Sequence, residues 1–292
     1  MGYATGVIMV LCAGMFWSII PVGVRSFEEA DVWQILLYRS MGLLPITLWL
    51  IHYQSNGQAF QTIRQSGLSG LLGAAGLVAA YAGGIASVRL TTIANAAFLF
   101  ATAPFLTAIL GWIILREPLR RTTAVALAIA IVGIYLMVSD SVSKGNWIGD
   151  VLAFVSAIGF SVFAISLRAG KLRNSLPVVF LGGLFALLLA LLMSVSSGNG
   201  IAIPLHEIAI ALAIGAFLLG SGMILFTFGS KVIPAAELAL LCMTEVVFAP
   251  VWAWWFLNEL PGHTVVLGGG IVVFAIVLNA LTGLRHKPAL PH

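Results

Sequence analysis

The sequence predicts an all-α integral membrane fold of ten transmembrane helices, arranged as two five-helix repeats of opposite topology. Three observations carry it: the hydropathy of the whole chain, the distribution of its cations, and an internal repeat. Over 292 residues, 61% are hydrophobic and only 8% charged, with a mean hydropathy of +1.09. A soluble domain carries roughly 25% charged residues, so water cannot be the main solvent. Apolar runs of about 20 residues, each able at ~1.5 Å per residue to cross a ~30 Å hydrocarbon core, follow one another with short connections. No stretch is left for a separate soluble domain.

In chain order the predicted spans cover about 4–24, 32–52, 67–88, 91–115, 121–139, 147–167, 176–195, 205–229, 234–257 and 263–284. These runs are uniformly apolar without alternation, which fits helices rather than barrel strands. The first begins without the basic run of a signal peptide, so it is expected to be retained. With the N-terminus inside, ten cations fall in cytoplasmic segments, among them Arg116, Arg168, Lys171 and Arg285. Three fall outside, Arg25, Arg89 and Lys144, and Arg39 lies within the second span. That bias places both termini in the cytoplasm. Basic residues spread singly through short loops do not form a nucleic-acid surface.

A shift of 142 residues lays the fourth span on the ninth. Between 94–117 and 236–259 seven of 24 positions are identical, including Trp112/Trp254 and Glu117/Glu259. A shift of 143 brings Trp17 over Phe160, Ser18 over Ser161 and Arg25 over Arg168. The halves are therefore 1–142 and 143–292. With five spans each, the second half must cross the membrane in the opposite sense, and such repeats suit alternating access.

Three ionisable residues in or near spans are singled out, because intramembrane charge is costly and normally faces protein interior or water. Arg39 sits ~10 Å and Glu245 ~18 Å from the outer ends of their spans, counted at 1.5 Å per residue. Lining a cavity, they offer complementary charges to a zwitterion; the structural alternative is an ion pair that locks the halves, or an arginine snorkelling outward. Glu237 and its repeat partner Asn95 stand near opposite mouths, which suits gating or simple satisfaction of a helix end. Glu117 precedes Pro118 and Glu259 comes two residues before Pro261, so each is expected to meet free N–H groups where a helix begins. Trp17, Tyr81, Phe98 and Phe160 are aromatic cavity candidates, with core packing as the alternative. Trp252, Trp254 and Trp255 read as an interfacial belt. Pro21, Pro104 and Pro250 are expected to bend their spans as hinges or fixed kinks.

Cys12 and Cys242 lack metal or disulfide spacing and read as packing residues. The five histidines fall at span ends, in loops or in the tail, so neither a metal nor a cofactor is expected. No phosphate-binding Gly-Lys-Ser/Thr motif occurs, which excludes ATP as direct driver.

The segments Tyr38-Arg39-Ser40, Ala94-Asn95-Ala96-Ala97 through Pro104 to Arg116-Glu117-Pro118-Leu119, and Ala235 to Asn258-Glu259-Leu260 resemble the EamA-type members of the drug/metabolite transporter superfamily. The resemblance covers nearly the whole chain. It implies a central cavity between the halves, residence in the bacterial cytoplasmic (inner) membrane as a monomer in contact with lipid, and export or exchange of a small molecule. An amino acid, neutral or aromatic, or a related metabolite is the implied substrate; nucleotide-sugars, quaternary amines and drugs are alternatives, as is a membrane-embedded lipid-modifying enzyme. The second half departs from the pattern, with Gly182 in the place of Arg39 and Val246 in that of Pro104.

Overall fold

A computed structural model describes residues 2–117, 121–144, 147–172, 174–233 and 235–284. They form helices α1 (Tyr3–Arg25), α2 (Val32–Gln54), α3 (Ala59–Gln65), α4 (Gly67–Leu90), α5 (Ile93–Phe100), α6 (Ala103–Leu115) and α7 (Arg121–Lys144). The chain continues through α8 (Trp147–Ala169), α9 (Leu176–Ser196), α10 (Leu205–Ala213), a π-helical segment (Ile214–Gly220), α11 (Ser221–Gly229), α12 (Ala235–Leu257) and α13 (His263–Leu284). Among the described residues eight helical segments are long and apolar enough to cross a membrane. Six are single helices; the other two are Ile93–Leu115, made of α5 and α6, and Leu205–Gly229, made of α10, the π segment and α11. Shorter apolar stretches, Thr244–Leu257 and His263–Asn279, lie within α12 and α13.

Local chemistry explains several boundaries. Asp31 Oδ1 accepts the N–H groups of Trp33 and Gln34, and Gln34 Oε1 accepts that of Asp31, a capping box that starts α2. The fourth span breaks at Ala101 and Thr102: Pro104 has no N–H to continue the ladder, and Thr102 Oγ1 instead donates to the Leu99 carbonyl at 2.6 Å. Pro104 thus starts α6, whereas Pro21 and Pro250 lie inside α1 and α12, and Pro45 inside α2. α6 and α12 end alike, with Arg116 (φ 57°) and Asn258 (φ 53°) left-handed and the next N–H returning to the carbonyl six residues back. Those donors, Glu117 to Gly111 and Glu259 to Ala253, make the same closure through a left-handed residue 142 residues apart.

Glycine lets the long helices touch backbone to backbone. A Cβ on Gly76 would stand 2.6 Å from the Gly159 carbonyl and one on Gly159 2.5 Å from that of Gly76, so α4 and α8 meet there. Gly133 and Gly268 seat α7 on α13 in the same reciprocal way. α1 packs on α12 and on α11, α8 on α6 and α5, and α2 on α9.

Hydrogen bonds sort the helix ends into two groups. Arg25, the residues around Thr91, Asp150, the loop at 28–30, Glu207 and Glu259 contact one another at one end of the bundle. At the other, Glu117 meets Arg168 and Thr123 meets Asn279. Successive spans therefore alternate in direction. The fold is all-α, and its long apolar helices mark an integral membrane protein.

Candidate functional site: a buried cation and two ion pairs at the helix ends

Arg39 is 5% exposed on α2. Its guanidinium carbon stands 4.5 Å from the centroid of the Tyr81 ring, carried on α4. That cation–π contact is the guanidinium's closest compensation, since Nε and Nη2 are buried without a hydrogen-bond partner. Among the described residues no carboxylate lies within salt-bridge distance of it. Across from Arg39 runs the π segment, where a Cβ on Gly215 would fall 1.9 Å from the Arg39 carbonyl oxygen. The widened turn and the glycine together admit this close approach, and single π turns inside α-helices often mark functional sites.

The other cavity candidates divide by contact. Glu245, half-buried on α12, is not brought to Arg39; its backbone lies against Gly14 of α1, and no hydrogen bond or ion pair engages its carboxylate among the described residues. Trp17 is wedged against Gly222 and packs 5.5 Å from Phe226, with its indole N–H buried and unpartnered. Phe160, 39% exposed, contacts Phe100 and Phe163. Phe98 lies flat on Gly269 of α13 within the apolar core. Asn95 is 1% exposed and donates to Asp150, so its amide is held inside the protein. The Glu237 side chain lies outside the described residues. Trp254 and Trp255 are exposed as a belt requires, but Trp252 turns inward and donates to Ser18 Oγ at 2.9 Å. Cys12 is exposed rather than packed.

At one end of the bundle Arg25 reaches Glu259 at 3.5 Å and also donates to the Thr91 carbonyl. Glu259 Oε1 accepts the Ile93 N–H at 2.6 Å, at the start of α5 rather than of the helix that follows it in sequence. Arg89 donates to the Phe27 carbonyl nearby. Arg25, Arg89, Leu90, Thr91, Thr92 and Glu259 line a cavity of about 390 Å³ there. At the opposite end Arg168 pairs with Glu117, both about half exposed. One pair joins the arginine that closes α1 to the glutamate after α12, and the other the arginine near the end of α8 to the glutamate after α6.

Two buried carboxylates escape a reading of the sequence. Glu207, 1% exposed in the first turn of α10, accepts three backbone N–H groups, from Glu28 (2.8 Å), Glu29 (3.0 Å) and Ala30 (2.9 Å). Asp150, 2% exposed in the first turn of α8, accepts the Thr91 hydroxyl at 2.9 Å as well as Asn95. Both stand at span ends, where acidic residues are ordinary; what marks them is their position inside the predicted apolar runs.

A model of the EamA-like transporter family matches residues 4–139 and again residues 147–281. The chain belongs to the EamA-like transporter family. Two curated relatives of this family member are each named an uncharacterized transporter. One, from Clostridium kluyveri, is 26% identical over 70% of this chain and 67% of its own; the other, from Archaeoglobus fulgidus, is 25% identical over 66% and 69%. A crystal structure with a TM-score of 0.67 at 16% identity covers 98% of this chain and 100% of its own, a likeness of fold. Membership in a family of membrane transporters implies a small-molecule substrate and points away from an enzyme.

Proposed function

We infer that this EamA-like protein is a secondary transporter that exports or exchanges small neutral or aromatic amino acids, or related metabolites, by alternating access. In this reading α12 and α13 also cross the bilayer, giving ten spans, and residues 1–142 and 143–292 are inverted repeats. The observation that carries it is the crosswise pairing of Arg25 with Glu259 and of Arg168 with Glu117 at opposite ends. Exchanging the conformations of two inverted halves exchanges the states of these two contacts, so that one mouth opens as the other closes. The twofold match of one family model supports the same division.

Arg39 and Tyr81 are the substrate-facing pair in this account. A cation left with unsatisfied donors in a low-dielectric interior favours an anionic group, and the neighbouring ring offers apolar surface. Glu245, Trp17 and Phe160 line the path, and Pro21, Pro104 and Pro250 place bends where spans reorient. The cation bias of the loops puts both termini and the Arg168–Glu117 mouth in the cytoplasm, with the cytoplasmic membrane of a bacterium as the site of action.

The test is counterflow in proteoliposomes loaded with unlabelled solute. Saturable accumulation of labelled neutral or aromatic amino acids supports the reading. Linear, non-saturating flux makes the protein a channel, and chemical conversion of the solute makes it an enzyme.

A further inference from the structure

The mouth lined by Arg25, Arg89 and Glu259 has the composition of a carboxylate-binding site whose present occupant is the protein's own side chain. Glu259 places its carboxylate at the first N–H of α5, 2.6 Å from the Ile93 nitrogen, with the Arg25 guanidinium at 3.5 Å. Helix N-termini and arginines are the donors by which proteins hold carboxylates. The occupancy is incomplete. Arg25 Nε is buried without a partner, and Arg89, on the rim of the same cavity, meets a backbone carbonyl but no carboxylate within salt-bridge distance among the described residues. Two cations therefore face one anion around a cavity of about 390 Å³, within the size range of small-molecule sites.

We propose that this mouth binds the carboxylate of a small organic solute in competition with Glu259. A solute carboxylate in the cradle takes over the donors that hold Glu259, and α12 is released from α1 and from the start of α5. Binding and opening are then linked: whatever favours the released glutamate tightens the solute, and the solute widens the mouth. Arg89, which among the described residues meets a backbone carbonyl but no carboxylate within salt-bridge distance, adds its charge to the cradle without a competing anion. The inference rests on the transporter reading for the solute's onward path, but not for the binding step itself.

The experiment uses the full chain in lipid nanodiscs, with Cys12 and Cys242 replaced by serine and spin labels on cysteines placed at Ser26 and Leu260, exposed neighbours of the pair. The probes are 3-phenylpropionate and 2-phenylethylamine, alike in their apolar part and opposite in charge. The carboxylate is expected to lengthen the 26–260 distance and the amine to leave it unchanged. Glu259→Gln is expected to lengthen it without ligand and to tighten 3-phenylpropionate binding about tenfold, whereas loss of a merely structural contact weakens or abolishes binding. Arg89→Gln weakens binding about tenfold, with Arg89→Lys restoring most of it. Equal responses to the two probes, weaker binding by Glu259→Gln, or unchanged binding by Arg89→Gln overturns the proposal. A distance change without counterflow leaves the binding site standing and removes the transporter reading; counterflow without a distance change does the reverse.

Discussion

A guanidinium ~10 Å down a membrane-crossing helix costs several kcal/mol unless water, a π face or an anion attends it, and Arg39 has the second of these. Arg39→Gln removes the charge at similar volume. It is expected to lower counterflow at least about tenfold with folded yield retained, while Arg39→Lys, which keeps the charge but loses the planar fork, recovers only part. Unchanged counterflow by Arg39→Gln removes this residue from the substrate path. Glu207 has the opposite character, being fully satisfied by three N–H groups that tie the α1–α2 loop to α10. Glu207→Ala orphans those donors and is expected to cost about 3 kcal/mol, read as a lower thermal midpoint in detergent, while Glu28→Ala at an exposed position leaves it unchanged. Arg39 was legible in the sequence because a charge in the middle of an apolar run is costly and must face water, an anion or the protein interior. Glu207 and Asp150 were not, because an acidic residue in a first helical turn is favoured by the dipole, and only tertiary contact distinguishes a solvated carboxylate from a buried one.

Helices were legible wherever hydropathy alone decides, and the eight long segments fall within a few residues of their predicted bounds. Their internal interruptions were legible only in part. Pro104 announces the break between α5 and α6 by its missing N–H, but nothing in Ile214–Gly220 announces a π turn, which arises where α2 and the eighth span press together at Gly42 and Gly215. Gly215→Val sets new atoms against the Arg39 carbonyl and is expected to abolish folded protein, whereas Gly270→Ala, with open space at its Cβ, is expected to be neutral; size-exclusion profiles of the two variants check this. The short α3, with Phe60 81% exposed, falls between the predicted spans, since seven residues are too few for a periodic signal.

Across the whole molecule, the repeat was legible as two glutamates and two arginines at matching offsets, but their partnership was not. Sequence aligns Arg25 with Arg168 and Glu117 with Glu259; the fold pairs Arg25 with Glu259 and Arg168 with Glu117. A crosswise pairing is invisible to a self-alignment, because it depends on which spans become neighbours, α1 with α12 and α8 with α6. Under the proposed alternating access, each closed pair favours the conformation in which its own end of the bundle is shut. Neutralising Glu117 is therefore expected to shift the population towards a state open at the Arg168 end, and neutralising Glu259 towards one open at the Arg25 end.

Thiol labelling with a membrane-impermeant reagent measures this directly, using single cysteines at Ser26 and at Arg116, exposed positions at the two ends, in oriented vesicles. The two sites are expected to react from opposite sides of the membrane, with Glu117→Gln raising reactivity at 116 while lowering it at 26 and Glu259→Gln doing the reverse. Labelling of both sites from one side, or a rise at both in the same variant, contradicts this expectation.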